Sequence, residues 1–327
     1  MRRHCLGLLA VSLLALSALA AELADEPGAF GKRPDYPKTT PKLLEDYKNL
    51  PDYAEAMKKV HAKFTGTPGT LAMFGDSITA AREFWSPLKE PGKNMSPQMR
   101  KDYDLVRSYM KDECWSWKGK QYGHEGGKAS KWILDNADQW LKDLKPEVVV
   151  ILVGSNDMDL KVAPEQGLKD WEQNLTDSVK KCLDNGSIVI LCTIPPRASR
   201  RCDVYNERVL KLAATLKLPV TDYAGQILTR RPDDWDGSAP QFREKYEKSE
   251  VPTLISGDGE HPSCPKAFAN DYSEEALKTH GYGLRTYLTL TTYAQVLRKV
   301  IGVREHPASS QPVVTSQPAT APAAGKP

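Results

Sequence analysis

The sequence predicts an α/β fold of three layers, a central parallel sheet sandwiched between helices and carrying long loop insertions. The runs LAMF (71–74), EVVVILV (147–153) and SIVILCTI (187–194) are almost wholly apolar and rich in β-branched residues, as strands covered on both faces must be. Segments of helical period lie between them. Each run is followed by a short stretch of glycine, small polar or proline residues, which suits loops at the carboxyl edge of a parallel sheet, where ligands gather.

The elements follow one another along 327 residues. Residues 1–20, MRRHCLGLLAVSLLALSALA, join two arginines, an apolar stretch and the small-x-small ending Ala18-Leu19-Ala20, the layout of a signal peptide; a mature protein exported to the periplasm or beyond is expected. The stretch is too short for a convincing membrane anchor, with an uncleaved signal anchor as the alternative. A helical extension over 34–64 contains PKLLEDYKNLPDYAEAMKKVHAKF, two short amphipathic helices broken at Pro51. The core runs over about 66–304, and with the extension it forms one domain, 21–304, without a linker-like break or an internal repeat. Within it, Leu168, Trp171, Leu175, Val179 and Leu183 recur at three and four residues, and Gly186 supplies a stop. DVYNERVLKLAATLK is again helical, and LPVTDY reads as a short strand. Strands alternating with helices imply right-handed crossovers. Residues 305–327, rich in Pro, Ala, Ser and Thr, bury too little apolar surface to fold and read as a disordered tail.

Composition excludes several classes. The formal net charge is +3, and loss of Arg2 and Arg3 with the signal leaves +1 without a basic stripe, so nucleic acid is not an expected partner. Of six cysteines, Cys5 lies in the signal; Cys114, Cys182, Cys192, Cys202 and Cys264 allow at most two disulfides. No C-x-x-C and no Cys/His cluster has zinc spacing, so no metal is expected.

Four short motifs then carry the chemistry. Gly75-Asp76-Ser77 ends the first strand, where glycine lets the chain turn sharply into a helix. Ser77 there is either a nucleophile or, like Thr79, a helix cap. YGHEGG (122–127) offers glycines whose backbone N–H could face an oxyanion, or an ordinary tight turn; it is not a phosphate loop, because Tyr122 and Ala129 stand where one needs glycine and Ser or Thr. Gly154-Ser155-Asn156-Asp157 follows the second strand with a side-chain amide able to donate to developing negative charge, or with capping residues. Asp258-Gly259-Glu260-His261 sets a carboxylate three residues from an imidazole, so that the carboxylate can hold one ring nitrogen while the other faces a serine. His280 competes, without a carboxylate at that spacing.

In this order the four motifs resemble the SGNH or GDSL hydrolase family, from about Leu71 to Ile301, with ILCTIPPR and VYNERVLKLAATLKLPVTDY also similar to family segments. The resemblance implies a flavodoxin-like sheet, Ser77 as nucleophile, His261 as general base and Asp258 as its orienting carboxylate. It also implies an oxyanion hole from the Ser77 and Gly126 backbone N–H groups and the Asn156 side chain, with no cofactor. Gly126 is preferred over Gly127 for its spacing from Gly123. The chain departs from the family pattern at Tyr122, where asparagine is usual, and in the late Gly281-Tyr282, which an insertion at SCPKAFANDYSEEALKTH would explain.

The reaction so implied is ester hydrolysis through an acyl-enzyme. Insertions over about Pro87–Lys120 and Arg230–Pro252 are expected to project from the catalytic edge. Their Trp115, Trp117 and Trp235, with Asp76, are the candidate substrate contacts, the tryptophans stacking on a sugar ring or else packing the loops onto the core. WSPLKEPGKNMSPQMRKDYD is not the apolar lid of a long-chain lipase, so short acyl groups such as acetyl on carbohydrate are expected. The alternatives are a lipid-directed acylhydrolase or thioesterase, and a catalytically inactive glycan-binding protein on the same fold.

Overall fold

The computed structural model describes residues 41–197 and 202–304; the signal peptide, the tail and residues 34–40 of the helical extension lie outside the described residues. Two helices lead in, α1 (Pro41–Lys48) and α2 (Ala54–His61), parted around Pro51. Then come β1 (Leu71–Gly75), the single turn α3 (Ser77–Ala80), α4 (Pro97–Tyr109), α5 (Ser130–Leu144), β2 (Val148–Leu152), α6 (Pro164–Asp184) and β3 (Ile188–Cys192). After these follow α7 (Cys202–Leu216), β4 (Val220–Thr221), α8 (Tyr223–Arg230), the short α9 (Pro240–Arg243) and α10 (Ala276–Thr279), and α11 (Gly281–Val296), which widens into a last turn at Leu297–Ile301.

All four strands are parallel and lie in chain order. Leu71 pairs with Val148 and Val148 with Ile188, and every residue of β1, β2 and β3 is buried. Because the strands are in step, Gly75, Leu152, Cys192 and Thr221 end along one edge, and the loops that follow share it. The three crossovers step in one direction, so right-handedness puts α5, α6 and α7 on the same face. There α5 packs along α6, while α11, against α4 and α8, closes the opposite face. The expected helix stop at Gly186 is a Schellman turn: Gly186 has φ +82°, its N–H donates to Leu183 O (3.1 Å), and the Ser187 N–H reaches back to Cys182 O (3.0 Å).

A flavodoxin-like order would set another strand outside β1. Here a single bridge between Gly75 and His124 holds that edge. The His124 ring continues it, facing Met73 O from Nδ1 (3.0 Å) and accepting the Gly119 N–H at Nε2 (3.1 Å), and burial pushes its pKa down to about 4. At the far end of the sheet, buried Glu147 accepts from Tyr109 Oη (3.0 Å) and the Gly69 N–H (2.7 Å) and pairs with His61 Nε2 (2.9 Å), tying α2 and α4 to β2.

The first insertion departs from expectation. Rather than projecting, residues 87–120 build core: α4 is capped by Ser96, whose side chain accepts the Met99 N–H (3.2 Å), and Leu88, Met99, Tyr103, Val106, Met110 and Cys114 are buried. All five cysteines in the described residues are free thiols. Burial raises Cys114, Cys182 and Cys202 to about 12 and Cys192 to about 11, which makes them inert. Among the described residues no helix is long and apolar enough to cross a membrane.

Candidate active site

The Gly75-Asp76-Ser77 turn assigns the capping role to the aspartate. Asp76, in extended backbone (φ −97°, ψ −153°), accepts the Ile78 N–H at Oδ1 (3.0 Å) and so N-caps α3. Ser77 thus opens the helix with its hydroxyl free, and that hydroxyl meets His261 Nε2 at 2.9 Å. Gly75 is required for space rather than for a left-handed φ. A Cβ there would stand 2.2 Å from Thr79 Oγ1 and 2.5 Å from Leu152 O. Gly75→Ala is therefore expected to cost about 2–3 kcal/mol by overpacking. In a domain of this size the melting temperature should fall by roughly 5–10 °C, read by thermal denaturation.

His261 and Asp258 share one tight loop. The Asp258 Oδ2 stands 2.9 Å from His261 Nδ1, while Oδ1 accepts Ser256 Oγ (2.7 Å) and the backbone N–H groups of Glu260 and His261 (2.9 Å each). Lys248, from the second insertion, reaches the same Oδ2 at 2.8 Å. Burial opposes ionisation of Asp258, yet the His261, Lys248, backbone and Ser256 hydrogen bonds together hold its carboxyl far below the usual range. The hydrogen bond to Asp258 raises the His261 pKa above its ordinary value, against partial burial. With Nδ1–H donating to Asp258, Nε2 is left to accept the Ser77 proton. The competing His280 is buried and caps α11, accepting the Gly283 N–H at Nδ1 (2.8 Å), with its pKa lowered to about 4 by burial.

The glycine turn and the Asn156 loop flank Ser77. Gly126 lies directly against it, since a Cβ at Gly126 would be 3.8 Å from Ser77 Cβ, whereas one at Gly127 (φ +74°) meets nothing within 4 Å. Asn156 is half-buried and spends one Nδ2 hydrogen on Lys128 O (3.0 Å), leaving a second for a ligand. Capping in this motif falls to Asp157. Its carboxylate accepts the Ser130 N–H at 3.0 Å and the Ser130 hydroxyl at 2.5 Å, closing the N-terminus of α5, and burial raises its pKa to about 6. Gly154 has φ +142° and fits under Trp171 and Ile194, so the chain turns there as a side chain would not allow.

Three expected substrate contacts are buried. Asp76 is fully buried beneath Ser77, and burial pushes its carboxyl up despite the Ile78 N–H and the Arg285 charge. Trp115 is 1 % exposed and stacks on Trp85 with ring centroids 4.9 Å apart, because α4 draws its loop into the core. Trp235 is buried as well. Only Trp117 keeps an exposed part, stacked on Tyr122 at 5.3 Å beside the glycine turn.

Four charged residues escaped the sequence reading. Arg285, wholly buried on α11, donates to Ile78 O (2.7 Å) and Thr79 Oγ1 (3.0 Å) and lies 3.7 Å over the Phe84 ring. Lys118 gives its ammonium to the carbonyls of Thr79, Ala81 and Phe84 (3.0–3.2 Å), and burial, with the Arg285 charge, lowers its pKa to about 8. Together these two satisfy the carboxyl end of α3 and fix the helix that presents Ser77. Lys248 and Arg197 act on the other loops. Lysine or arginine beside aromatic and proline residues was the available signal, but partners up to 207 residues away are not legible from spacing.

No protein-family model matches the sequence, and no curated protein matches it. Solved structures do. The chain is similar to a GDSL-like lipase from Bacteroides thetaiotaomicron VPI-5482, at 16% identity over 76% of this chain and 99% of that one, with a TM-score of 0.41. It is similar to a lipase/acylhydrolase from Enterococcus faecalis, at 18% identity over 73% and 98% of the two chains, TM-score 0.41. It is also similar to a psychrotrophic esterase from a Pseudoalteromonas species, at 18% identity over 70% and 99%, TM-score 0.42.

Proposed function

We propose that the protein is a serine ester hydrolase acting through an acyl-enzyme, with short acyl groups on carbohydrate as its substrates. The observation that carries this reading is the unbroken line from Ser77 Oγ to His261 Nε2 (2.9 Å) and from His261 Nδ1 to Asp258 Oδ2 (2.9 Å), at the carboxyl edge of a parallel sheet. His261 takes the Ser77 proton as Oγ adds to the ester carbonyl, and Asp258 stabilises the imidazolium. The tetrahedral oxyanion is held by the Ser77 and Gly126 N–H groups and Asn156 Nδ2. The imidazolium then gives its proton to the leaving alcohol. Water, deprotonated in turn by His261, releases the acid and restores Ser77.

Removal of one oxyanion donor has a characteristic signature. Asn156→Ala is expected to lower kcat about 100- to 1000-fold with little change in KM, measured on 4-nitrophenyl acetate. An unchanged kcat would remove Asn156 from the oxyanion site.

The half-exposed Trp117–Tyr122 pair suits a sugar face, and it stands next to Lys118, which is bonded to the end of the Ser77 helix. The lipid-directed reading draws on Leu160 and Val162, which are 50% and 47% exposed on the loop after Asn156. Acetyl, butyryl and octanoyl nitrophenyl esters, compared by kcat/KM, separate the two. Preference for acetyl supports the carbohydrate deacylase, and preference for octanoyl supports the lipid enzyme.

A further inference from the structure

The loop after β2 carries Asn156 and the late loop carries His261, and a single buried side chain joins them. Arg197, at the end of the stretch after β3, has a side chain only 4% exposed. Its Nη1 donates to Ser155 O (2.6 Å) and Asp159 Oδ2 (3.1 Å), on either side of Asn156, and its Nη2 pairs with Glu260 Oε1 at 2.6 Å, next to His261. A guanidinium presents several donors in one rigid plane, so groups bound to its two ends hold a fixed separation. Burial strengthens both pairs by removing the competing water. We propose that Arg197 is a positioning residue that locks the Asn156 loop to the His261 loop, so that the oxyanion donor and the base keep their spacing about Ser77.

The role of the clamp in catalysis rests on the ester-hydrolase reading; its mechanical part does not. Glu260 makes the clamp's contact with the late loop, whereas the Asn156 loop is held by both Ser155 O and Asp159, so cutting the Glu260 end should cost more than cutting the Asp159 end. Asp159 and Glu260 are the ends to cut, since both are partly exposed and their truncation leaves Arg197 with its remaining acceptors. Glu260→Ala is expected to lower kcat about tenfold and Asp159→Ala about threefold on 4-nitrophenyl acetate, each with KM within about threefold, as misplaced catalytic groups do. The double variant should lose no more than the worse single one.

Amide hydrogen exchange supplies a readout independent of turnover. Exchange over residues 155–160 should rise in Glu260→Ala, although that substitution lies on the other loop. Losses that add on a logarithmic scale, singles with wild-type kcat, or unchanged exchange over 155–160 would overturn the clamp. Absence of esterase activity in the wild type would overturn the enzymatic reading, with the exchange measurement still deciding the tie.

Discussion

Ser77→Ala is expected to lower kcat on 4-nitrophenyl acetate by about 10⁶-fold while the protein keeps its fold. The Ser77 hydroxyl meets His261, and Asp76 rather than Ser77 caps α3, so its loss removes the nucleophile without unmaking the helix. Because nucleophile and base act as a unit, Ser77→Ala with His261→Ala should be hardly worse than either alone. A Ser77→Ala enzyme within a hundredfold of wild type would require another nucleophile.

Asp258→Asn should reduce kcat by about 10⁴-fold and also move the pH profile. An amide nitrogen beside His261 Nδ1 favours the wrong tautomer, in which Nε2 carries the proton and cannot accept one from Ser77. The base works only when neutral, so kcat/KM rises as pH climbs through the His261 pKa, which the Asp258 hydrogen bond holds above its ordinary value. Removing the carboxylate charge lowers that pKa, and the acid limb should shift to lower pH. Kinetics from pH 5 to 9 measure this; an acid limb that stays in place or moves upward would show that Asp258 does not set the base.

The strands were legible because a parallel sheet covered on both faces needs continuous apolar runs, as in Val148–Leu152 and Ile188–Cys192. The helices α6 and α7 were legible from their period. The segment 87–120 builds core instead of projecting, and Met99, Tyr103, Val106 and Met110 do repeat at three and four residues behind Ser96-Pro97, which is the signature of a capped amphipathic helix. That helix takes Trp115 into the core and away from any substrate. The residues expected at the catalytic centre are brought together because each follows a strand or shares a tight loop. Arg197, Arg285 and Lys118 support that centre through contacts between distant segments, for which local pattern carries no signal.

Ser77 as the nucleophile is tested by covalent trapping with diisopropyl fluorophosphate followed by peptide mass spectrometry. One phosphoryl group per chain, located on Ser77 and lost in Ser77→Ala, with ester hydrolysis falling in step with labelling, is the expected result. An enzyme that hydrolyses 4-nitrophenyl acetate and is inactivated with the adduct on another residue, or that stays active with Ser77 fully labelled, would contradict it.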